Sequence, residues 1–252
     1  MTSNDVPGGT SDDSLFGGRV RLRQPVSGYR VAIDPVFLAA AVPAASVDTV
    51  LDIGCGVGAA ALCLAVRVPG CRVTGIDMQR DLVRLASDNI EANELFGRVS
   101  VMTGDLLRPP PRLEPGSFAH VMANPPYLEG GAGTAPPDAG KAAAHLEGEA
   151  DLAAWVRFAL AMVRAKGSIT IIHRADRLEH LLEQLSRRTG DIAILPLWPG
   201  PGKPAKRVIV HARKGVATPT RLLPGVMLHG ADGRYTEAAE AILRHGAPLP
   251  VS

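Results

Sequence analysis

The chain has 252 residues, 46% of them apolar, with a mean hydropathy of +0.11 and a formal net charge of +2. That length and composition support one sizeable core and exclude a globally disordered chain. No apolar run reaches the roughly 18 residues of a bilayer span, and the polar start lacks a signal-peptide core, so a cytoplasmic protein away from membranes is expected.

Residues 1–14, rich in Gly, Ser, Asp and Thr, read as a disordered tail, and residues 15–49 as a cap segment before the main domain. The main domain is expected over 50–214, with 215–252 as a C-terminal extension. It opens on an apolar strand, 50–53, followed by Gly54-Cys55-Gly56-Val57-Gly58 and an alanine-rich helix over 59–67. A second strand, 72–76, ends at Asp77. The spacing of Leu82, Leu85, Ala86 and Ile90 predicts an amphipathic helix over 81–92. Residues 99–101 form a third strand leading to Asp105, and 118–123 a fourth, stopped by two prolines. A helix over 151–164, a turn at Lys166-Gly167, a strand over 168–172 and a helix over 177–188 follow. Residues 192–197 and 207–212 read as an antiparallel edge hairpin. Alternating strands and helices imply an α/β fold, a mostly parallel sheet covered on both faces.

Charge and cysteine placement narrow the partners. Residues 14–33 hold Arg19, Arg21, Arg23 and Arg30 without an acid, and 192–231 hold Lys203, Lys206, Arg207, Arg213, Lys214 and Arg221, again without one. These segments carry ten positive charges against a net +2, leaving −8 elsewhere. They form a basic face for a polyanion if they meet in space, and two solvated surfaces if they do not. Cys55, Cys63 and Cys71 share no CxxC or Cys/His spacing, so neither a disulfide frame nor a metal site is expected.

In open parallel sheets, ligands bind beyond the carboxyl ends of the strands. The glycine-rich loop after the first strand lets backbone approach a ligand closely. Asp77, with Met78 beside it, is placed to accept from ribose hydroxyls, and Asp105 with Leu106 to flank an adenine ring. Gly54-x-Gly56-x-x-Ala59 also satisfies a dinucleotide fingerprint, so the loop alone leaves a dehydrogenase open. Asp52, placed before the first glycine to bind an ammonium, and Asn124-Pro125-Pro126-Tyr127 at the end of strand four count against it. Together these features favour S-adenosylmethionine.

The run Asp52-x-Gly54-Cys55-Gly56-x-Gly58, with Asp77, Asp105 and Asn124 on successive strand ends, resembles the pocket of class I methyltransferases. That resemblance implies a Rossmann-like sheet. The tetrad Asn124-Pro125-Pro126-Tyr127 resembles amino-directed methyltransferases acting on adenine N6 or glutamine amide nitrogen. An exocyclic amine is a poor nucleophile because its lone pair is delocalised. Accepting its protons on the Asn124 side chain and the Pro125 carbonyl localises that pair, and stacking on Tyr127 aligns it, so positioning supplies most of the acceleration. His145, Glu147, His173 and Arg174 are given no catalytic role, since amine methylation needs no strong base.

The head, Arg19-Val20-Arg21-Leu22-Arg23-Gln24-Pro25 with Gly28-Tyr29-Arg30-Val31-Ala32-Ile33-Asp34-Pro35, and the tail, Leu228-His229-Gly230-Ala231-Asp232-Gly233-Arg234-Tyr235-Thr236, resemble the bacterial family that N6-methylates adenosine beside the anticodon of valine tRNA. The likeness covers about residues 15–245. It implies that Asp34 closes over the cofactor, that Arg19, Arg21, Arg23, Lys203, Lys206, Arg207, Arg213 and Lys214 contact tRNA, and that residues 128–150 form a lid or a plain linker. A monomer is favoured. Release-factor glutamine methyltransferases share the tetrad but generally place a larger helical domain before the first strand. Protein glutamine, rRNA, and a non-catalytic RNA-binding role remain the alternatives at this stage.

Overall fold

A computed structural model describes residues 9–27, 30–126 and 151–251. Tyr127, Gly28, Tyr29, the 128–150 stretch with His145 and Glu147, and residues 1–8 lie outside the described residues. The described elements are β1 (Thr10–Leu15), β2 (Val20–Pro25), α1 (Asp34–Ala41), β3 (Thr49–Ile53), α2 (Ala59–Arg67), β4 (Arg72–Asp77), α3 (Arg80–Ala92), β5 (Val99–Thr103) and β6 (Phe118–Ala123). They continue with α4 (Leu152–Met162), β7 (Val163–Arg174), α5 (Leu178–Leu185), β8 (Thr189–Trp198), β9 (Arg207–Lys214), β10 (Arg221–Leu222), β11 (Val226–Met227) and α6 (Glu237–His245).

The main sheet runs β10-β8-β9-β7-β6-β3-β4-β5, with β11 also on β8. Every pairing is parallel except those of β9 with β7 and β8. The hairpin read from the sequence is therefore present, but it is not an edge. β9 inserts between β7 and β8, and the short strands β10 and β11 cover the far side of β8. Two short parallel additions blunt an edge that would otherwise offer open backbone groups. The predicted turn at Lys166-Gly167 is absorbed inside β7, where Lys166 takes a φ of 59° and the register with β6 shifts.

Burial on both faces explains why the central strands read as continuous apolar runs. Met122 and Ile172 face one core with α1, α2 and α3, whereas Val121, Ile169 and Ile171 face a second with Trp155 and Phe158 of α4. All eight residues of α1 are buried, as are seven of the nine in α2, which is why neither shows a polar face. The helix ends are closed by cations, as expected for carbonyls left unpaired at helix C-termini. Arg67 donates to the Ala39 and Val42 carbonyls, and Arg98 to the Ala65 carbonyl at 2.7 Å.

The first strand corrects an expectation. Residues 10–14 belong to β1, antiparallel to β2, rather than to a disordered tail. Their composition is that of a loop, but Asp12 pairs with Arg23 at 3.0 Å and Asp13 with Arg30 at 2.8 Å, and Gln24 also donates to Asp13. These partners are remote enough in sequence that composition does not reveal them.

The inner edge of β2 is satisfied by a helix. Asn89 on α3 and Asn93, one turn on at the helix C-cap, present side-chain amides that pair with the backbone of Arg23 and Arg21 as a neighbouring strand would. Asn89 accepts from the Arg23 amide at 2.7 Å and donates to its carbonyl at 2.9 Å, and Asn93 does the same for Arg21 at 2.8 and 2.7 Å. The spacings match: four helical residues rise about 6 Å and two strand residues about 6.8 Å. Asn89, 1% exposed, also donates to the Val57 carbonyl at 3.0 Å, which ties the hairpin to the glycine-rich loop. An Asn89→Ala variant is expected to lose about 2–4 kcal/mol in urea unfolding, because buried backbone groups are left unpaired. Asn93→Ala, at a more exposed position, should lose about 1 kcal/mol; equal losses at both sites would contradict the bridging role of Asn89.

Candidate functional site at the carboxyl edge

Four adjacent strands, in the order β6, β3, β4 and β5, end side by side, carrying Asn124, Asp52, Asp77 and Asp105 along one edge. Three strand spacings separate the outer two, roughly 14 Å. The turn after β3 follows from its glycines: Gly54, Gly56 and Gly58 take φ values of 67°, 54° and 86°, conformations that side chains disfavour. At Gly54 there is also no room, since a Cβ would lie 2.5 Å from Trp155 Cη2. The loop then feeds the N-terminus of α2, with Gly58 as its left-handed cap.

Asp52 is the most perturbed carboxyl group of the site. It is 2% exposed, sits between Gly75 and Met122 of the flanking strands, and leaves Oδ2 without a hydrogen-bond partner among the described residues. Burial, reinforced by the nearby Asp77 and opposed by the Ala61 amide, pushes its pKa up to about 8. At neutral pH it therefore holds a proton, and a cation brought against it would favour the ionised form. This is the arrangement an ammonium-bearing ligand such as S-adenosylmethionine needs, so Asp52 and the loop fit that group.

Asp77 ends β4 and reaches across the loop. Its Oδ2 accepts from the Gly56 amide at 2.9 Å and its Oδ1 from the Gln79 amide at 2.8 Å. Burial raises its pKa while those amides, with that of Met78, hold it down. Cys55 is buried behind the loop, its thiol pKa pushed far up by burial first and then by Asp52 and Asp77, so it is a packed apolar group here. Met78 is 51% exposed. Asp105 is half-buried and accepts from the Leu107 amide at 2.8 Å; Leu106 packs against the α4 core.

At the end of β6, Asn124 and Pro126 are half-buried and Pro125 is buried. Asp34 opens α1 and is buried, and its Oδ2 receives the Arg207 Nε at 3.1 Å. Sequence reading assigned these two to cofactor and RNA separately; the fold joins them across 173 positions of chain. His173, near the end of β7, accepts the Arg174 amide on Nδ1 at 2.9 Å, so its proton sits on Nε2. Burial, then the arginines around it, lower its pKa to about 4, and it is neutral at physiological pH.

The other cations divide by position. Arg19 lies over Phe16 and donates to its carbonyl, Arg23 pairs with Asp12, and Arg21 is exposed on β2. Lys203 and Lys206 are exposed on the β8–β9 connection, at the same edge as Asn124. Arg213 and Lys214 lie toward the opposite edge: β9 runs antiparallel, and Arg213 pairs with Ser168, where the β7–β9 ladder begins. There Lys214 donates to the Leu160 and Val163 carbonyls at 2.7 and 2.8 Å, closing α4, and Arg213 donates to the Lys166 carbonyl. Asn89, Trp155 and the Asp34–Arg207 pair shape the site and were not singled out from sequence. For Trp155 alone was there a local hint, the glycine at position 54 against which it packs.

Because the Asp52 pKa is raised on folding from an unfolded value near 3.8, the native state binds the extra proton between about pH 4 and 8. Its contribution to stability is greatest in acid and is lost as pH rises through 8. Asp52→Asn should thus gain melting temperature over the unmodified protein progressively from pH 5 to about pH 8, and level off above it, without ligand. A gap independent of pH would show that the carboxyl is not held protonated.

The methyltransferase small domain family matches residues 27–184. The tRNA1(Val) (adenine(37)-N6)-methyltransferase of Erwinia tasmaniensis is 28% identical over 211 residues, covering 83% of this chain and 84% of that protein. Its Vibrio parahaemolyticus counterpart is 36% identical over 107 residues, and there the chain spans less than half of the relative, 43% against 42% of this chain. Among solved structures, a predicted O-methyltransferase from Agrobacterium tumefaciens superposes with a TM-score of 0.71 at 23% identity, over 86% of this chain and 98% of that one. A geranyl diphosphate methyltransferase in complex with SAM gives 0.52 at 14% identity, over 71% and 84%. The glycine loop, the row of strand-end acids and the Asn-Pro-Pro stop thus sit in a class I methyltransferase sheet, and the chain belongs to the methyltransferase small domain family.

Proposed function

We propose that this protein transfers a methyl group from S-adenosylmethionine to the exocyclic N6 of an adenosine in the anticodon loop of a tRNA, acting in the cytoplasm. The observation that carries the reading is the adjacency of Asp52 and Asn124 on neighbouring strands: a buried carboxyl whose Oδ2 has no hydrogen-bond partner among the described residues, suited to a cationic donor, lies next to an Asn-Pro-Pro stop suited to an amine. Support for tRNA comes from the Erwinia tasmaniensis relative, whose named activity is adenine-N6 methylation of tRNA1(Val) and whose likeness runs over most of both chains. Among the described residues no helix is long and apolar enough to cross a membrane.

When bound, S-adenosylmethionine supplies an electrophilic methyl on a sulfonium. The chain's own residues do the rest. Asp52 holds the ammonium end, the amides of the 54–58 loop allow close approach, and Asp77 and Asp105 receive hydroxyl and amino protons of the adenosyl part. The Asn124 side-chain carbonyl and the Pro125 backbone carbonyl accept the two amine protons of the substrate base, drawing its nitrogen lone pair out of conjugation. Stacking on the base is the role the tetrad's sequence pattern gives to Tyr127, which lies outside the described residues. Asp34, held by Arg207, fixes the start of α1 over the same edge. Once methylated, the nitrogen is acidic enough to lose its proton to water, so the neutral His173 is not required as a base.

Labelled S-adenosylmethionine offered with total tRNA, and separately with release factor, tests the reading. Methylated N6-adenosine recovered from tRNA is expected. Asn124→Ala should lower turnover by about a hundred- to a thousandfold, the usual scale for removing one positioned polar group, while cofactor affinity changes little. Label in release-factor glutamine and none in tRNA would overturn the assignment.

A further inference from the structure

The segment after β11 carries a built feature that the methyl-transfer chemistry does not use. The chain turns back at 230–233, with Gly230 N donating to the Arg234 carbonyl at 2.9 Å and the Gly233 amide to the Gly230 carbonyl at 3.1 Å, so that His229 and Tyr235 face each other as an isolated antiparallel pair. Their rings stack at 4.6 Å between centroids and 24° between planes. Both stems are anchored: the Leu228 amide donates to the Trp198 carbonyl at 2.7 Å, the Thr236 hydroxyl to the Met227 carbonyl at 2.6 Å, and Thr236 caps α6. His229 Nδ1 lies 2.9 Å from the Pro199 carbonyl, which only accepts, so this nitrogen carries the proton and locks the imidazole onto the β8–β9 connection.

Tyr235 is nevertheless 39% exposed. Covering a ring on one face and fixing its backbone while leaving the rest in water is a poor use of an aromatic side chain in a core, but it is what a stacking surface requires: area presented with little rotamer freedom left to lose. The surroundings are basic. Lys203 and Lys206 are exposed on the connection that His229 grips, and Arg234, next to Tyr235, has an 88% exposed side chain. Of the acids close by, Asp232 is engaged within the turn itself. Asp232 accepts the Arg234 amide at 3.0 Å, with the Arg234 guanidinium 4.0 Å away, and Glu237 lies in the first turn of α6.

The position matters as much as the composition. β8 and β11 run in the same sense as β3, β4, β6 and β7, so the 228–236 turn projects from the same carboxyl edge as Asn124. Four strand spacings separate β6 from β11 along the sheet, roughly 19 Å, and the cationic 203–207 stretch lies between them.

We propose that the stacked His229–Tyr235 pair is a second subsite on this rim, a platform on which an unpaired nucleobase of the RNA stacks while its neighbour enters the methylation crevice, with Lys203, Lys206 and Arg234 against the flanking phosphates. The proposal rests on the RNA reading above. Stacking tolerates any base, so this subsite supplies affinity and register, and the Asn124 crevice chooses adenine.

The experiment is binding of a fluorescent anticodon stem-loop RNA to the full chain, measured by anisotropy, for the unmodified protein and for Tyr235→Ala, Tyr235→Phe and Tyr235→Trp. Tyr235→Ala should weaken binding by about five- to a hundredfold, the range for losing one base stack, with S-adenosylmethionine affinity unchanged. Tyr235→Phe and Tyr235→Trp should bind within about twofold of the unmodified protein, which separates a stacking role from a misfolded turn. An RNA with one abasic loop position, other than the methylated one, should lose affinity for the unmodified protein yet bind Tyr235→Ala no worse than intact RNA does. If RNA binds and is methylated but Tyr235→Ala binds it equally well, or if the abasic and alanine losses simply add, the platform is wrong and the methylation reading stands. If the unmodified protein binds only a release-factor peptide and no RNA, both fall together.

Discussion

A carboxyl group buried at the end of a central strand, with one oxygen lacking a hydrogen-bond partner among the described residues, sets the terms for this protein. An orphaned buried carboxylate is costly, and Asp52 responds by holding its proton to about pH 8. Replacing it with an apolar residue of similar size would relieve that cost, so the group is explained by what it meets when the crevice is filled. A cation against Asp52 converts a destabilising feature into a charge-assisted contact in a low-dielectric site. The glycines around it divide the work: a Cβ at Gly56 would stand in open space beside the loop, whereas Gly54 makes room for the Trp155 ring.

The rest of the molecule fixes that edge. Asp77 binds the loop from β4, Asn89 holds it through Val57 and carries the N-terminal hairpin as well, and Trp155 closes it from α4. Asp34 and Arg207 join the start of α1 to β9 at the same end. Charge is therefore used in two ways. At the amino edge Arg213 and Lys214 complete carbonyls at the end of α4 and in β7, while at the carboxyl edge Lys203, Lys206 and Arg234 remain in solvent beside an aromatic pair. Counting basic residues along the chain treats these groups alike; topology separates them.

What was legible in the sequence follows the same division. The strands at 50–53 and 118–123 and the helix at 59–67 lie within one residue of their ends in the structure, because parallel strands buried on both faces leave uninterrupted apolar runs and a glycine loop marks the junction between strand and helix. The order of Asp52, Asp77, Asp105 and Asn124 at strand ends was equally readable. β1 was not: its polar residues gain structure only by pairing with Arg23 and Arg30. β10 and β11, two residues each, were too short to leave a pattern. Asn89 looked like one more polar residue on an amphipathic helix, and nothing local distinguishes an amide that binds three backbone groups from one in water. The Asp34–Arg207 pair is a product of the fold alone.

Calorimetric titration of the unliganded protein with S-adenosylmethionine at pH 7, in two buffers of different ionisation enthalpy, reads the central claim directly. If the cation-bound Asp52 gives up the proton it holds when free, protons are released on binding, affinity rises as pH is raised from 6 toward 8, and both effects vanish in Asp52→Asn, which binds more weakly. Binding of full strength with no proton exchange, unchanged in that variant, would contradict the account.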